Sequence, residues 1–395
     1  MKPKPTAGHV SSGHSHRNVS VDGSRRILVF RSHRGQYHPH RTSLASRFDR
    51  DIVSVTGFDP AVEYLLIDGG DPARGADGRS VRRRFREQCD YGAPSPNAGM
   101  NVAILGCGYV GLELGRQLAD RGHEAIGVRR SAEGLDAIEA AGFEGIRADV
   151  TDPDDLAAVP AVDAIVFAAS SGGRGADAAR EVYVDGLRTA IETFGKRDEP
   201  PERLIYASST GVHGDHGGAR VDEGTPIDPT TDKTAVLAQA ERIALDLPRE
   251  YGFDGTVARY AGLYGPDRYR LERYLEGPVT EGYLNMVHRD DAAGAVRYLL
   301  ERNLARGEVV QVVDDEPVSK WSFADWLADE CELEQPPKRT KAERLEDDGL
   351  SEAARRRILT SKRCSNEKLR DLGYEFAHPT FREGYRAAIA AYGDA

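Results

Sequence analysis

The chain has few of the residues that staple or anchor a protein. Its 395 residues include four cysteines, three methionines and two tryptophans. Cys89, Cys107, Cys331 and Cys364 are scattered, with no Cys-x-x-Cys pair. They read as isolated reduced thiols, not as a disulfide framework or a zinc ribbon. No apolar run approaches the roughly 18 residues of a membrane helix. No continuous apolar stretch follows Lys2 and Lys4, as a secretory leader would require. A cytoplasmic protein with no membrane partner is expected. Lysine is also sparse: beyond residue 99 it occurs only at Lys196, Lys233, Lys320, Lys338, Lys341, Lys362 and Lys368.

Charge is unevenly spread. Residues 1–99 carry 16 Lys and Arg against 10 Asp and Glu, whereas residues 100–395 carry 37 against 54. The acidic body argues against nucleic acid as a partner, because phosphates bind cationic surfaces. An acidic, lysine-poor surface suits concentrated salt, where repulsion is screened, so a halophilic source is expected. Unfolding of the protein below about 1 M salt would bear that out.

Residues 1–99 do not read as a domain. Arg, Ser, Gly and Asp dominate, and only residues 27–30 and 62–67 look strand-like, each in isolation. His14-x-His16 and His38-x-His40 lack acidic or cysteine partners at ligand spacing, so no metal site is expected. The basic run Arg82-Arg83-Arg84-Phe85-Arg86 reads as part of a disordered tail. Met100 stands one residue before the first regular strand, which suggests a spurious extension and a working start at Met100. Native protein beginning before residue 50 would contradict that.

From residue 101 the pattern alternates. Strand-like runs fall at 101–105, 124–128, 145–148, 164–167, 203–206 and 256–259. Helical stretches at 111–121, 132–141, 152–158, 177–194 and 234–251 lie between them. Alternating β and α elements imply a parallel sheet covered on both faces, a doubly wound Rossmann-type α/β fold. The division expected is a dinucleotide-binding domain over 100–265 and a small α/β substrate-binding cap over 266–395, with segments of the cap free to return to the first domain.

The first strand runs into Gly106-Cys107-Gly108-Tyr109-Val110-Gly111 and then a helix. In this glycine pattern the first glycine permits a tight turn, the second lets backbone approach a pyrophosphate, and the third packs helix on strand. The helix N-terminus then offers free N–H groups and partial positive charge to the phosphates. The second strand ends in Val128-Arg129-Arg130-Ser131, where an NAD site would carry an acid for the ribose 2′-hydroxyl. Two guanidiniums suit a 2′-phosphate instead, which favours NADP over NAD. Asp149 follows the third strand, placed for the adenine edge. Ala168 and Ala169 end the fourth, where small residues let the chain pass close to the cofactor. The expected cofactor contacts are therefore Gly106, Gly108, Tyr109, Val110, Gly111, Arg129, Arg130, Asp149, Ala168 and Ala169.

Several further motifs lie in a telling order. They are Tyr206-Ala207-Ser208-Ser209-Thr210-Gly211-Val212-His213-Gly214, Arg259-Tyr260-Ala261-Gly262-Leu263-Tyr264-Gly265-Pro266, Val287-His288-Arg289-Asp290-Asp291 and the tail segment from Ser361 to Tyr374. With the glycine turn they make residues 101 to about 390 resemble the extended short-chain dehydrogenase/reductases, the NAD(P)-dependent epimerase/dehydratase superfamily. The resemblance implies a serine, a tyrosine and a lysine in the chemistry, with small carbonyl or hydroxyl compounds and nucleotide sugars as substrates, and a homodimer by analogy. Ser209 falls at the family's catalytic hydroxyl. Alignment on Glu241 puts Lys233 at the tyrosine position and Leu237 at the lysine position, while His213 replaces the tyrosine of the Val-Tyr-Gly step. The sequence thus resembles the atypical branch, which keeps the cofactor fold and departs at the acid/base pair. Ser209, Lys233 and His213 are the catalytic candidates, with Tyr260 and Tyr264 further along the cleft loop. Three readings stay open: an oxidoreductase or epimerase with altered acid/base residues, a cofactor-binding sensor or scaffold with little catalysis, and a different chemistry. His288 and the acids after it are expected to cap the following helix, and Trp321 and Trp326 to pack the cap.

Overall fold

The computed structural model describes the backbone of residues 16–20, 25–31, 43–48, 51–56, 62–68, 99–172 and 175–393, with side chains over 99–172 and 175–393 apart from Ala353. The chain separates into two compact units, 1–93 and 94–395. In the first unit, strand Arg25–Arg31 pairs antiparallel with both His16–Ser20 and Val62–Asp68, and Ser43–Phe48 pairs with Asp51–Thr56. The two stretches read as isolated strands are therefore neighbours, with Leu28 opposite Leu65. The His-x-His side chains, the Arg82–Arg86 run and Cys89 lie outside the described residues.

The second unit is built on seven parallel strands: β1 (Asn101–Leu105), β2 (Glu124–Arg129), β3 (Glu144–Arg147), β4 (Ala164–Phe167), β5 (Arg203–Ser209), β6 (Asp254–Tyr260) and β7 (Val309–Val312). Their order across the sheet is β7-β6-β5-β4-β1-β2-β3. Both faces are covered, as a parallel sheet requires. Successive side chains alternate between faces: Leu105, Phe167, Tyr206 and Val257 share one core, while Ile104, Val166, Ile205 and Ala258 share the other. The first core is closed by α5 (Leu187–Gly195), which buries Leu187, Ile191 and Phe194 at helical spacing, and by α6 (Asp232–Glu250). The second is closed by α1 (Tyr109–Ala119) and by α7 (Arg289–Glu301).

Two features were not legible in the hydropathy pattern. The stretch read as one helix over 177–194 is three pieces: α4 (Ala176–Arg180), a π-helical turn over Glu181–Gly186, then α5. The strand at 309–312 lies in the main sheet, in register with Val257–Tyr260 of β6, so the chain leaves the Rossmann unit after β6 and returns to it. The remaining C-terminal segments form a small aromatic core in which Phe323, Trp326, Phe381 and Tyr385 pack edge to face or tilted. Trp321 instead donates its indole N–H to Val279 O at 2.8 Å.

Candidate functional site

Strand order reverses between β1 and β4. In open parallel sheets this switch point is where ligands bind. Gly106 leaves β1 at φ +84°, a left-handed conformation. A Cβ there would stand 2.1 Å from the Ala169 Cα, so only glycine fits between the end of β1 and the chain leaving β4. A Cβ on Gly111 would come within 3.0 Å of Ile104 Cγ2, which fixes how closely α1 packs on β1. Leu112 N–H donates to Gly108 O at 2.8 Å, and no side chain caps the helix. The N–H groups of Tyr109, Val110 and Gly111 thus open the helix without intrahelical acceptors.

A cleft of about 410 Å³ lies over this turn. All ten expected cofactor contacts line it, from Gly106 to Ala169, joined by Ser131, Val182, Tyr260, Leu263 and Arg268. At the β2 end, Arg129 Nη1 donates to Cys107 O at 3.4 Å, and Arg130 Nη1 lies 3.2 Å from Asp149 Oδ2. Burial raises the Asp149 carboxyl. Hydrogen bonds from Thr151 N–H and Oγ1 and from Arg130 outweigh it and hold the group below its ordinary value. Ser131 caps the next helix by accepting from Gly134 N–H at 3.2 Å, which leaves its own hydrogen free to donate. Cys107 is buried in the turn and its thiol is pushed up to about 12, chiefly by burial; it is a small space-filler, not a nucleophile.

The catalytic candidates separate. Ser209 ends β5, and its Oγ accepts from Gly211 N–H at 3.1 Å. The 3-10 turn Thr210–His213 packs on the start of α6: a Cβ on Gly211 would meet Thr234 Cγ2 at 3.6 Å and Ser209 Oγ at 3.2 Å. Lys233 occupies the exposed first turn of α6, next to Thr234. Tyr183, on the π-turn, was not legible beforehand and lies beside Lys233. Lys233 Nζ lies 5.7 Å from its ring centroid, and its hydroxyl accepts from Ser171 N–H at 3.3 Å. A wide π-turn is a frequent mark of functional sites, and its sequence is not distinguishable from α-helix.

His213 lies elsewhere. It is 0% exposed, and its Nε2 lies 3.3 Å from both Arg259 Nη1 and Gln311 Nε2. Both neighbours are donors, so Nε2 is the acceptor. Burial first, then Arg259 and Lys362, push its pKa down to about 4. Arg259 in turn forms a bidentate pair with Glu241 (2.9 and 2.7 Å), and Ser208 Oγ donates to Glu241 Oε1 at 2.6 Å. The structure puts His213 in this buried network and not on the cleft. Tyr260 does line the cleft, but its hydroxyl donates to Ala292 O at 3.3 Å. Tyr264 belongs to the C-terminal aromatic core.

His288 caps α7, its Nδ1 accepting from Asp290 N–H at 3.2 Å. His288, Asp291 and His378 each offer an atom within 4.8 Å of the others. Asp291 oxygens already accept from Ala377 N–H, His378 N–H and His378 Nδ1 at 2.7–3.0 Å. The carboxylate is used in holding the 377–378 loop to α7.

The model of the NAD dependent epimerase/dehydratase family matches residues 102–312. Protein YeeZ of Escherichia coli K12 is 29% identical over 286 residues, covering 70% of this chain and 96% of that protein. A Methylobacillus flagellatus structure, described as a candidate NAD-dependent epimerase/dehydratase, is 29% identical with a TM-score of 0.60. It covers 74% of this chain and 99% of that one. A Thermus thermophilus UDP-glucose 4-epimerase in complex with NAD shares the fold, with 19% identity, a TM-score of 0.59, and coverage of 75% and 100%. Among the described residues no helix is long and apolar enough to cross a membrane.

Proposed function

The chain belongs to the NAD dependent epimerase/dehydratase family, and from that membership we propose that it is an NADP-dependent oxidoreductase or epimerase/dehydratase-like enzyme acting on a nucleotide sugar or another small carbonyl or hydroxyl compound. The observation that carries the reading is the cleft at the switch point, with Arg129 and Arg130 where an NAD site would present an acid. The glycine turn fits a dinucleotide: Gly106 lets the end of β1 pass within van der Waals contact of Ala169, and Gly108 and the opening N–H groups of α1 line the cleft.

Bound there, a nicotinamide supplies hydride exchange. The chain's own residues do the rest. The uncapped N-terminus of α1 holds the pyrophosphate. Arg130, Arg129 and Ser131 hold the 2′-phosphate, with Arg130 exchanging part of its pairing with Asp149 for the ligand. Ser209 already accepts a hydrogen bond from Gly211, so its hydrogen is available for the substrate oxygen. With a lysine at the family's tyrosine position, the proton passes through Tyr183, whose hydroxyl is positioned by Ser171. Lys233, over the Tyr183 ring, stabilises the negative charge that develops as the proton leaves. His213 takes no part.

A second reading has its own observation. Leu237, at the family's lysine position, is 9% exposed and packs in the core, as suits a protein that binds the cofactor and turns over little. NADPH oxidation with a panel of nucleotide sugars and small carbonyls separates the two. The enzyme reading expects turnover with at least one compound, and a loss of about 100-fold or more in Tyr183→Phe. NADPH binding without turnover across the panel, unchanged by Ser209→Ala, would favour the binding-protein reading.

A further inference from the structure

Arg268 also lines the cleft, on the loop that follows β6. Its guanidinium lies over the Tyr109 ring, with Cζ 4.0 Å from the centroid. Tyr109 is the first residue of α1, beside the N–H groups that open that helix. Its hydroxyl donates to Pro266 O at 2.9 Å, so one side chain ties the loop to the helix N-terminus at both ends. Arg289 also approaches this ring, at 5.6 Å, but it is paired with Asp290 and Glu113. Arg268 makes no ion pair among the described residues.

The loop is held in an unfavourable backbone. Gly265 has φ +138°, and the non-glycine residues Asp267 and Arg270, on either side of Arg268, have φ +64° and +56°. Left-handed backbone at an arginine persists only where the surroundings enforce it, and such strain gathers at ligand clamps. Arg268 N–H donating to Gly265 O at 2.9 Å closes the turn. The strained turn, the stacking and the tether together fix an unpaired guanidinium above the phosphate-binding end of α1.

We propose that Arg268 is the second half of the pyrophosphate site, gripping the dinucleotide from above while the glycine turn holds it from below. This rests on the dinucleotide reading and extends it. The bound cofactor then bridges α1 and the 265–270 loop. That loop also abuts His288, whose Nε2 would lie 3.1 Å from a Cβ on Gly265. Cofactor binding thereby fixes one wall of the space left for substrate.

The test is calorimetric titration of NAD, NADP and adenosine 2′-monophosphate into wild type, Arg268→Ala and Arg268→Lys. The first two ligands carry the pyrophosphate and the third does not. Arg268→Ala should weaken NAD and NADP by one common factor, about tenfold to a hundredfold for a charge-assisted hydrogen bond. Adenosine 2′-monophosphate should stay within about twofold. Arg268→Lys should fall between, keeping charge but losing the planar fork and its stacking. The side chain is exposed, so melting temperatures of the variants serve as the folding control. NAD and NADP affinities unchanged in Arg268→Ala would overturn the proposal and leave the cofactor reading standing. An equal loss for all three ligands would also overturn it, placing Arg268 at the adenosine end. Wild type binding none of the three would overturn both.

Discussion

Replacing His213 by glutamine tests most sharply whether this residue belongs to the core or to the chemistry. The imidazole is 0% exposed, and its pKa is pushed from 6.5 to about 4, by burial first and by Arg259 and Lys362 next. At about 1.36 kcal/mol per pKa unit, the neutral form is favoured in the folded protein by ~3 kcal/mol. The folded-state value is depressed, so this contribution is fully present above pH 6.5 and is lost as the pH falls from 6.5 toward 4. Wild type should therefore lose ~3 kcal/mol over that window that His213→Gln does not lose. His288, also lowered to about 4 by burial and by His378, adds a similar slope to both proteins and cancels in their difference. Urea unfolding at pH 7, 6, 5 and 4.5 measures it. Parallel profiles for the two proteins would refute the argument, because they would mean that His213 titrates alike folded and unfolded.

Three other outcomes follow from named contacts. Glu241→Gln leaves the Arg259 charge buried without its counter-ion, with side-chain exposures of 6% and 4% in the native pair. It should destabilise by about 3–5 kcal/mol in urea unfolding, and Glu241→Leu/Arg259→Leu together should cost less than the single change. Arg130→Ala gives up a partly exposed pair with Asp149, itself contributing no more than about 1 kcal/mol. It should weaken NADP by roughly 5- to 30-fold in calorimetry and leave NAD nearly unchanged. Gly106→Ala forces a Cβ into the Ala169 backbone at φ +84° and should cost about 2–4 kcal/mol in melting experiments, with cofactor binding lost.

Local signals and long-range contacts divide what could be read beforehand. The glycine turn, the arginines at Arg129–Arg130 and the small residues Ala168–Ala169 were legible because each lies at a strand end, and the βα alternation alone puts those ends on one edge of the sheet. A return of C-terminal segments was expected, but the place of Val309–Val312 beside Val257–Tyr260 was not legible, since a short apolar run does not declare its partner strand. Tyr183 was hidden because one extra residue per turn leaves no trace in composition. His213's surroundings were hidden for a similar reason. The motif places it four residues after Ser209, but what decides its role is Arg259 and Gln311, 46 and 98 residues away in sequence. Arg268 carries no motif either; its importance comes from a ring at the start of α1, 159 positions earlier.

The central claim is that the switch-point cleft holds NADP. Calorimetric titration of the purified protein with NADPH and with NADH, side by side at one salt concentration at which unfolding curves show the protein folded, tests it directly. The account predicts one NADPH per chain, bound at least about tenfold tighter than NADH, with the preference abolished when Arg129 and Arg130 are both replaced by alanine. Equal affinity for the two nucleotides would contradict the assignment of the arginines, and no binding of either would contradict the site itself.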